Sequence, residues 1–185
     1  MNPAHANLMV AVFDQVVYIK VCGRADFTSS LDLKKLITEL WERGYNRFVF
    51  ELIDCKMMDS TFLGVLSGIG LKFCATSNGD NSALELLNPN PRIAEVLENL
   101  GVVHLFKIRN CSEPVSDNPV SDNPGSDKFE PLARAPGTTP ADVVRTCLEA
   151  HRTLMNINPD NIDKFKDVAQ FLAEDLKRHE PGNGK

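Results

Sequence analysis

The chain has 185 residues, 43% of them hydrophobic and 24% charged, the composition of a soluble globular protein with one ordinary domain and something more. A net charge of −5, with the basic pairs Lys34-Lys35 and Lys177-Arg178 set among acids, argues against direct nucleic-acid binding. No segment approaches the roughly 20 apolar residues of a membrane span, and Met1 to Asn7 lacks the basic and apolar regions of a signal peptide, so a cytoplasmic protein without membrane contact is expected.

Leu8–Phe13 and Val16–Cys22 are β-rich runs separated by Asp14-Gln15, a break short enough for a hairpin. In the second run Val17, Ile19 and Val21 share one face, with Tyr18 and Lys20 on the other. Gly23-Arg24-Ala25-Asp26 leads out of the strand. Asp26 or Thr28 then caps a helix running to about Gly44, with Leu31, Leu33, Leu36, Ile37, Leu40 and Trp41 as its apolar stripe. Arg47–Ile53 is dense enough in apolar residues for a central strand covered on both faces.

The next helix spans about Ser60 to Ala75 and is rich in small residues, namely Gly64, Ser67, Gly68 and Gly70. Each interior glycine costs about 1 kcal/mol against alanine, and close packing of the helix on a sheet is the expected compensation. A turn at Ser77–Asn81 and a strand at Ala83–Leu87 follow. Asn88-Pro89-Asn90-Pro91 opens a helix striped by Ile93, Val96, Leu97 and Leu100, which Gly101 ends before a short fifth strand within Val102–Ile108. This order is an α/β pattern: a mixed sheet of about four to five strands packed with helices.

Composition then shifts. Val115-Ser116-Asp117-Asn118-Pro119 repeats as Val120-Ser121-Asp122-Asn123-Pro124, with a degenerate third copy at Gly125-Ser126-Asp127. So polar a stretch buries too little surface to offset its ordering entropy, and residues 112–138 read as a disordered Ser/Asp/Asn/Pro linker between a domain at 1–111 and a helical hairpin at 139–185. Thr139-Pro140-Ala141-Asp142 is an N-cap signal, after which Val144, Cys147, Leu148, His151, Leu154 and Met155 fall on one face. His151 there reads as a packed, hydrogen-bonded histidine. Asn158-Pro159 starts the last helix, striped by Ile162, Phe165, Val168, Ala169, Leu172 and Leu176. The apolar faces of the hairpin need a partner: the sheet domain, a second copy or another protein.

Five dispersed cysteines (Cys22, Cys55, Cys74, Cys111, Cys147) and four dispersed histidines (His5, His104, His151, His179) show no metal-ligand spacing and no disulfide framework. Neither a metal nor a cofactor is expected. No Walker loop, G-x-G-x-x-G, G-x-S-x-G or H-E-x-x-H occurs. Ser60, His104 and Asp26 form a hydrolase triad only by selection among many combinations, with no recognisable base or oxyanion site, so the expectation is a protein that is not an enzyme.

Met58-Asp59-Ser60-Thr61-Phe62-Leu63-Gly64-Val65-Leu66, placed after a strand, resembles the M-D-S-S/T-G-L-G-V-L mark of the STAS family, the bacterial anti-sigma factor antagonists. Gly23 and Asp26 match a G-x-x-D after the second strand of that family. Asn88-Pro89 through Leu105-Phe106-Lys107-Ile108 resembles its proline-led third helix and closing strand, so the likeness covers about residues 8–110. Phe62 departs from the usual glycine.

The resemblance implies partner switching. Ser60 is the expected phospho-acceptor and Thr61 the second candidate. The partner-binding set is Gly23, Asp26, Met58, Asp59, Phe62 and Leu63, with Met57, Met58 and Phe62 giving an apolar surface around Ser60. The implied partners are an anti-sigma factor that doubles as serine kinase and a metal-dependent serine/threonine phosphatase, with a homodimer through the C-terminal helices as a further possibility. From the residues alone Asp59-Ser60 also reads as a helix cap, and the rival reading is a non-phosphorylated STAS scaffold in a signalling complex.

Overall fold

The first two strands are joined by the tightest turn available. In this computed structural model, which describes residues 7–76, 83–110, 128–134 and 136–179, β1 (Asn7–Phe13) pairs antiparallel with β2 (Val16–Ala25). Asp14 and Gln15 both take positive φ, 47° and 64°, which matches the right-handed twist of the flanking strands. The turn expected at 77–81, the pentapeptide copies at 115–127, His5 and Cys111 lie outside the described residues.

Helix α1 (Phe27–Glu42) is capped by Asp26, whose carboxylate accepts from the amides of Thr28 and Ser29 at 3.1 and 3.2 Å. It stops at Gly44, which takes φ +96°, a conformation open to glycine at little cost. Strand β3 (Arg47–Glu51) runs parallel to β2 from Val16 to Lys20. Beyond a register shift at Gly23/Arg24, β2 turns instead to β4 (Cys55–Met58), a strand the sequence pattern does not announce. The glycine of the G-x-x-D segment thus marks where β2 changes partner: it has φ +87°, and its amide donates to the carbonyl of Asp54.

Helix α2 (Ser60–Thr76) leads to β5 (Leu84–Leu87), then α3 (Pro91–Asn99), a 3-10 turn at Val103–Leu105 and β6 (Lys107–Arg109). The fifth strand expected within 102–108 is therefore half turn and half strand. A further two-residue strand, β7 (Glu130–Pro131), pairs with β1, and the amide of Leu132 donates to Leu8. This part of the expected linker is fastened to the sheet.

Sheet order among the described residues is β6-β5-β3-β2-β1-β7, with β4 also on β2. Phe48, Phe50, Val17, Ile19, Leu84 and Leu86 on one sheet face join Leu33 and Ile37 of α1, Phe62, Leu66 and Phe73 of α2, and Leu97 of α3 in one core. The other face carries a smaller cluster of Ala11, Val16, Tyr18, Val49 and Leu87, against which Phe129 packs. The chain is thus a mixed α/β sheet with helices, followed by the helical region α4 (Pro140–Ile157) and α5 (Ile162–His179). Thr139 and Asp142 form the expected capping box of α4.

The partner of the hairpin is the sheet domain. Helix α4 lies along α2 and touches α1, while α5 packs on α4. Asn161, fully buried in the hairpin turn, donates from Nδ2 to the carbonyls of Leu100 and Leu154 at 2.9 and 3.0 Å, joining the end of α3 to the end of α4. Asn161→Ala leaves both carbonyls without that donor and should lower stability by about 2 kcal/mol. Equilibrium urea unfolding followed by far-UV circular dichroism measures this as a fall in midpoint.

Candidate functional site

Five of the seven residues of α2 after Ser60 are apolar or glycine, so the helix is apolar nearly all round and must be covered on both sides. Phe62, Leu66 and Phe73 point to the sheet and are fully buried. Ser60, Gly64 and Gly68, spaced by four, line the opposite side under α4. A methyl group on Gly64 would stand 2.5 Å from the backbone oxygen of Ala150, and one on Gly68 would meet Thr153 at 3.7 Å. The close approach that Gly64 and Gly68 permit is therefore to α4, where packing on the sheet was the compensation expected for their helix-propensity cost. Gly70 faces Leu105 and Phe106.

The turn before α2 is organised by one carboxylate. Asp59 Oδ1 accepts from the amide of Phe62 at 2.8 Å, capping α2, and its Oδ2 accepts from the amide of Phe27 at 2.9 Å, at the start of α1. The amide of Asp59 itself donates to Ala25 at the end of β2. Burial pushes the Asp59 carboxyl above its ordinary value, with the Asp26 charge adding to the rise, while the amides of Phe62, Phe27 and Thr61 pull the other way.

With Asp59 as the cap, Ser60 is released from that duty. Its side chain is half-buried, and Oγ lies 2.9 Å from His151 Nε2 on α4. His151 is 5% exposed, and its Nδ1 sits 2.7 Å from the carbonyl of Cys147. A carbonyl only accepts, so Nδ1 carries the proton. In the neutral ring Nε2 then accepts from the Ser60 hydroxyl. Thr61 is buried, its hydroxyl 3.6 Å from the sulfur of Cys147. Burial pushes the Cys147 thiol up, and pushes that of Cys55 up to about 11.

The structure brings Asp26, Asp59 and Ser60 together at the carboxyl ends of β2 and β4. It places the apolar members of the expected partner surface otherwise. Phe62 is 0% exposed, and Met58 and Leu63 are also buried, because their positions on β4 and α2 face the core. Met57 is half-buried. The apolar side chains that do reach the surface at this end of the sheet are Phe27 and Ile53. Phe27 falls outside the expected stripe of α1, whereas Ile53 is the expected last residue of the third strand. That strand ends at Glu51, which leaves Ile53 exposed beyond it.

His104 is exposed in the turn after α3, and the histidine that meets Ser60 is His151. Of the hairpin, Val168 and Phe171, the latter 61% exposed, remain on the outer side of α5 for the expected contact with a second copy. Among the described residues no three His, Cys, Asp or Glu side chains converge as a metal site, and no helix is long and apolar enough to cross a membrane.

The STAS domain family model matches residues 7–114, and the chain belongs to that family. The match ends before β7, so the α4–α5 hairpin lies outside it. Among solved structures the chain is similar to the Bacillus anti-sigma factor antagonist SpoIIAA in its unphosphorylated form, at 18% identity over 55% of this chain and 87% of that one, TM-score 0.48. The phosphorylated form gives 19% identity over 55% and 90%, TM-score 0.46. The Thermotoga maritima protein TM1081 gives 24% identity over 55% and 78%, TM-score 0.48. A comparison with curated proteins gives no match.

Asp59→Ala removes the acceptor of two helix-terminal amides at once and should cost about 2 to 4 kcal/mol, twice the price of a single cap. Thermal or urea unfolding measures it, and Ser60→Ala should cost well under half as much.

Proposed function

We propose that the protein is a partner-switching regulator of the anti-sigma factor antagonist type. Its unmodified form binds an anti-sigma factor with serine-kinase activity, and phosphorylation of Ser60 ends that binding. In the kinase step the γ-phosphoryl group of ATP passes to Ser60 Oγ, ADP leaves and the hydroxyl proton goes to a base of the kinase. A serine/threonine phosphatase restores the hydroxyl by hydrolysis, releasing inorganic phosphate.

The observation that carries the reading is the separation of roles at the start of α2. Asp59 supplies the cap that the fold needs, so the adjacent hydroxyl is not consumed by the helix terminus. The resemblance of Met58-Asp59-Ser60-Thr61 to the family motif supports Ser60 as the acceptor. A phosphate there adds a charge of about −1.5 to −2 beside Asp59 and Asp26. Repulsion and desolvation at an interface are worth about 3 kcal/mol, roughly a hundredfold in affinity. Asp26 and Asp59 fix the local geometry, and Phe27 and Ile53 offer exposed apolar contact at the same end of the sheet.

The Ser60–His151 contact favours a second reading, a serine nucleophile with its base. Two features weigh against it. The second ring nitrogen of His151 meets a backbone carbonyl and not a carboxylate, and the Phe62 amide at the helix terminus, a natural oxyanion donor, is occupied by Asp59. We therefore read the protein as a substrate of a partner enzyme and not as an enzyme.

Full-length Ser60→Ala and Ser60→Asp proteins used as baits in lysate of the native host test the function. The alanine form is expected to retain a protein with an ATP-binding serine-kinase domain, and the aspartate form to lose it by roughly tenfold or more. Equal capture of every protein by both baits contradicts the switch and leaves the scaffold reading.

A further inference from the structure

The face of α2 that carries Ser60 is already occupied by a segment of the same chain. Ser60, Thr61, Gly64 and Gly68 lie under α4, where Cys147, Ala150, His151 and Thr153 meet them. The contact is built at backbone distance, since Gly64 has no space for even a methyl group against Ala150. Leu148, Ala150, His151 and Leu154 are buried. Phe165 of α5 packs on the His151 ring, with centroids 5.2 Å apart, so the second helix braces the residue that meets Ser60. An exposed ion pair, Lys34 with Glu149, closes the rim toward α1.

We propose that the α4–α5 hairpin is an intramolecular lid on the switch face, and that negative charge on Ser60 releases it. Only the identity of the trigger, phosphorylation, rests on the function proposed above. In the closed state the hairpin competes with any outside partner for the α2 surface around Ser60. The kinase and any partner reach that surface through its open fraction. In the charged state the hairpin is free, and the charge on Ser60 itself opposes the partner that bound the unmodified form.

Three observations support the coupling. A hydrogen-bond distance between Ser60 Oγ and His151 Nε2 leaves no room for a phosphoryl group between them. The Asp59 and Asp26 carboxylates stand on the same side as the incoming charge, and the field of Asp59 already reaches Cys147 on α4. The lid is also tethered closely. With β7 paired to β1 and Leu132 bonded to Leu8, residues 133–139 alone separate the pinned strand from α4.

So short a tether gives the hairpin an effective concentration near the millimolar range. If the lid is closed 99% of the time, an outside partner sees its affinity reduced about a hundredfold. The inner face of α4 also describes the partner this surface fits: an amphipathic helix with a small residue at the crossing point.

Hydrogen–deuterium exchange on the full chain tests the proposal without any partner protein. The samples are wild type, Ser60→Ala, Ser60→Asp, protein with phosphoserine installed at position 60, and Gly64→Ala as the sterically opened reference. Amides of residues 140–157 should exchange at least about tenfold faster in the phosphoserine, Ser60→Asp and Gly64→Ala proteins than in wild type. Those of β2, β3 and β5 should be unchanged, and Ser60→Ala should stay near wild type.

Protection of α4 within twofold of wild type in both charged forms overturns the proposal. So does increased protection, which would make phosphate a latch on His151, and so does a Gly64→Ala protein with α4 undisturbed. Because no kinase or anti-sigma factor enters, this experiment can fail while the bait experiment succeeds, and the reverse.

Discussion

A single carboxylate holds the turn before Ser60 in place. Asp59 accepts from the first turns of two helices, α1 at Phe27 and α2 at Phe62, and its own amide is anchored on β2. Helix N-termini carry unpaired amides and partial positive charge, so one acid between two of them is favoured electrostatically despite the burial that raises its pKa. The consequence for function is indirect. With the cap supplied by residue 59, residue 60 is left as a hydroxyl at a fixed place with no duty to the helix.

The second constraint is steric. Helix α2 is apolar on the side facing the sheet and nearly featureless on the side facing α4, where glycines at 64 and 68 let the two helix backbones approach. A helix so built needs cover, and in this chain the cover comes from beyond the residues matched by the family model. The hairpin therefore completes the core and covers the face that carries Ser60 in the same act. Under the proposed function, stability and regulation share one surface.

Much of this was legible in the sequence because it is local. The strands β1, β2, β3 and β5, the helices and their stops, and the caps at Asp26, Asp59 and Thr139 follow from period, propensity and capping chemistry. Strand β4 was hidden because Cys-Lys-Met-Met carries neither alternation nor β-branched residues, and β2 selects it by changing partner at Gly23. Strand β7 is two residues long and lies in a polar stretch, where only pairing with β1 defines it. The orientation of Phe62 was available in principle: it shares the spacing of Leu66 and Phe73, whereas Ser60 shares that of Gly64 and Gly68. The His151 contact with Ser60, across 91 residues, is a product of tertiary packing and leaves no local trace.

The account depends on Ser60 changing its covalent state. Quantitative mass spectrometry of the tryptic peptide spanning residues 57–72, from protein isolated from its native host under several growth conditions, measures that directly. The predicted result is a phosphate on Ser60 whose occupancy changes with condition and rises as the co-purifying kinase falls. A peptide that is unmodified in every condition while the kinase stays bound would contradict the account.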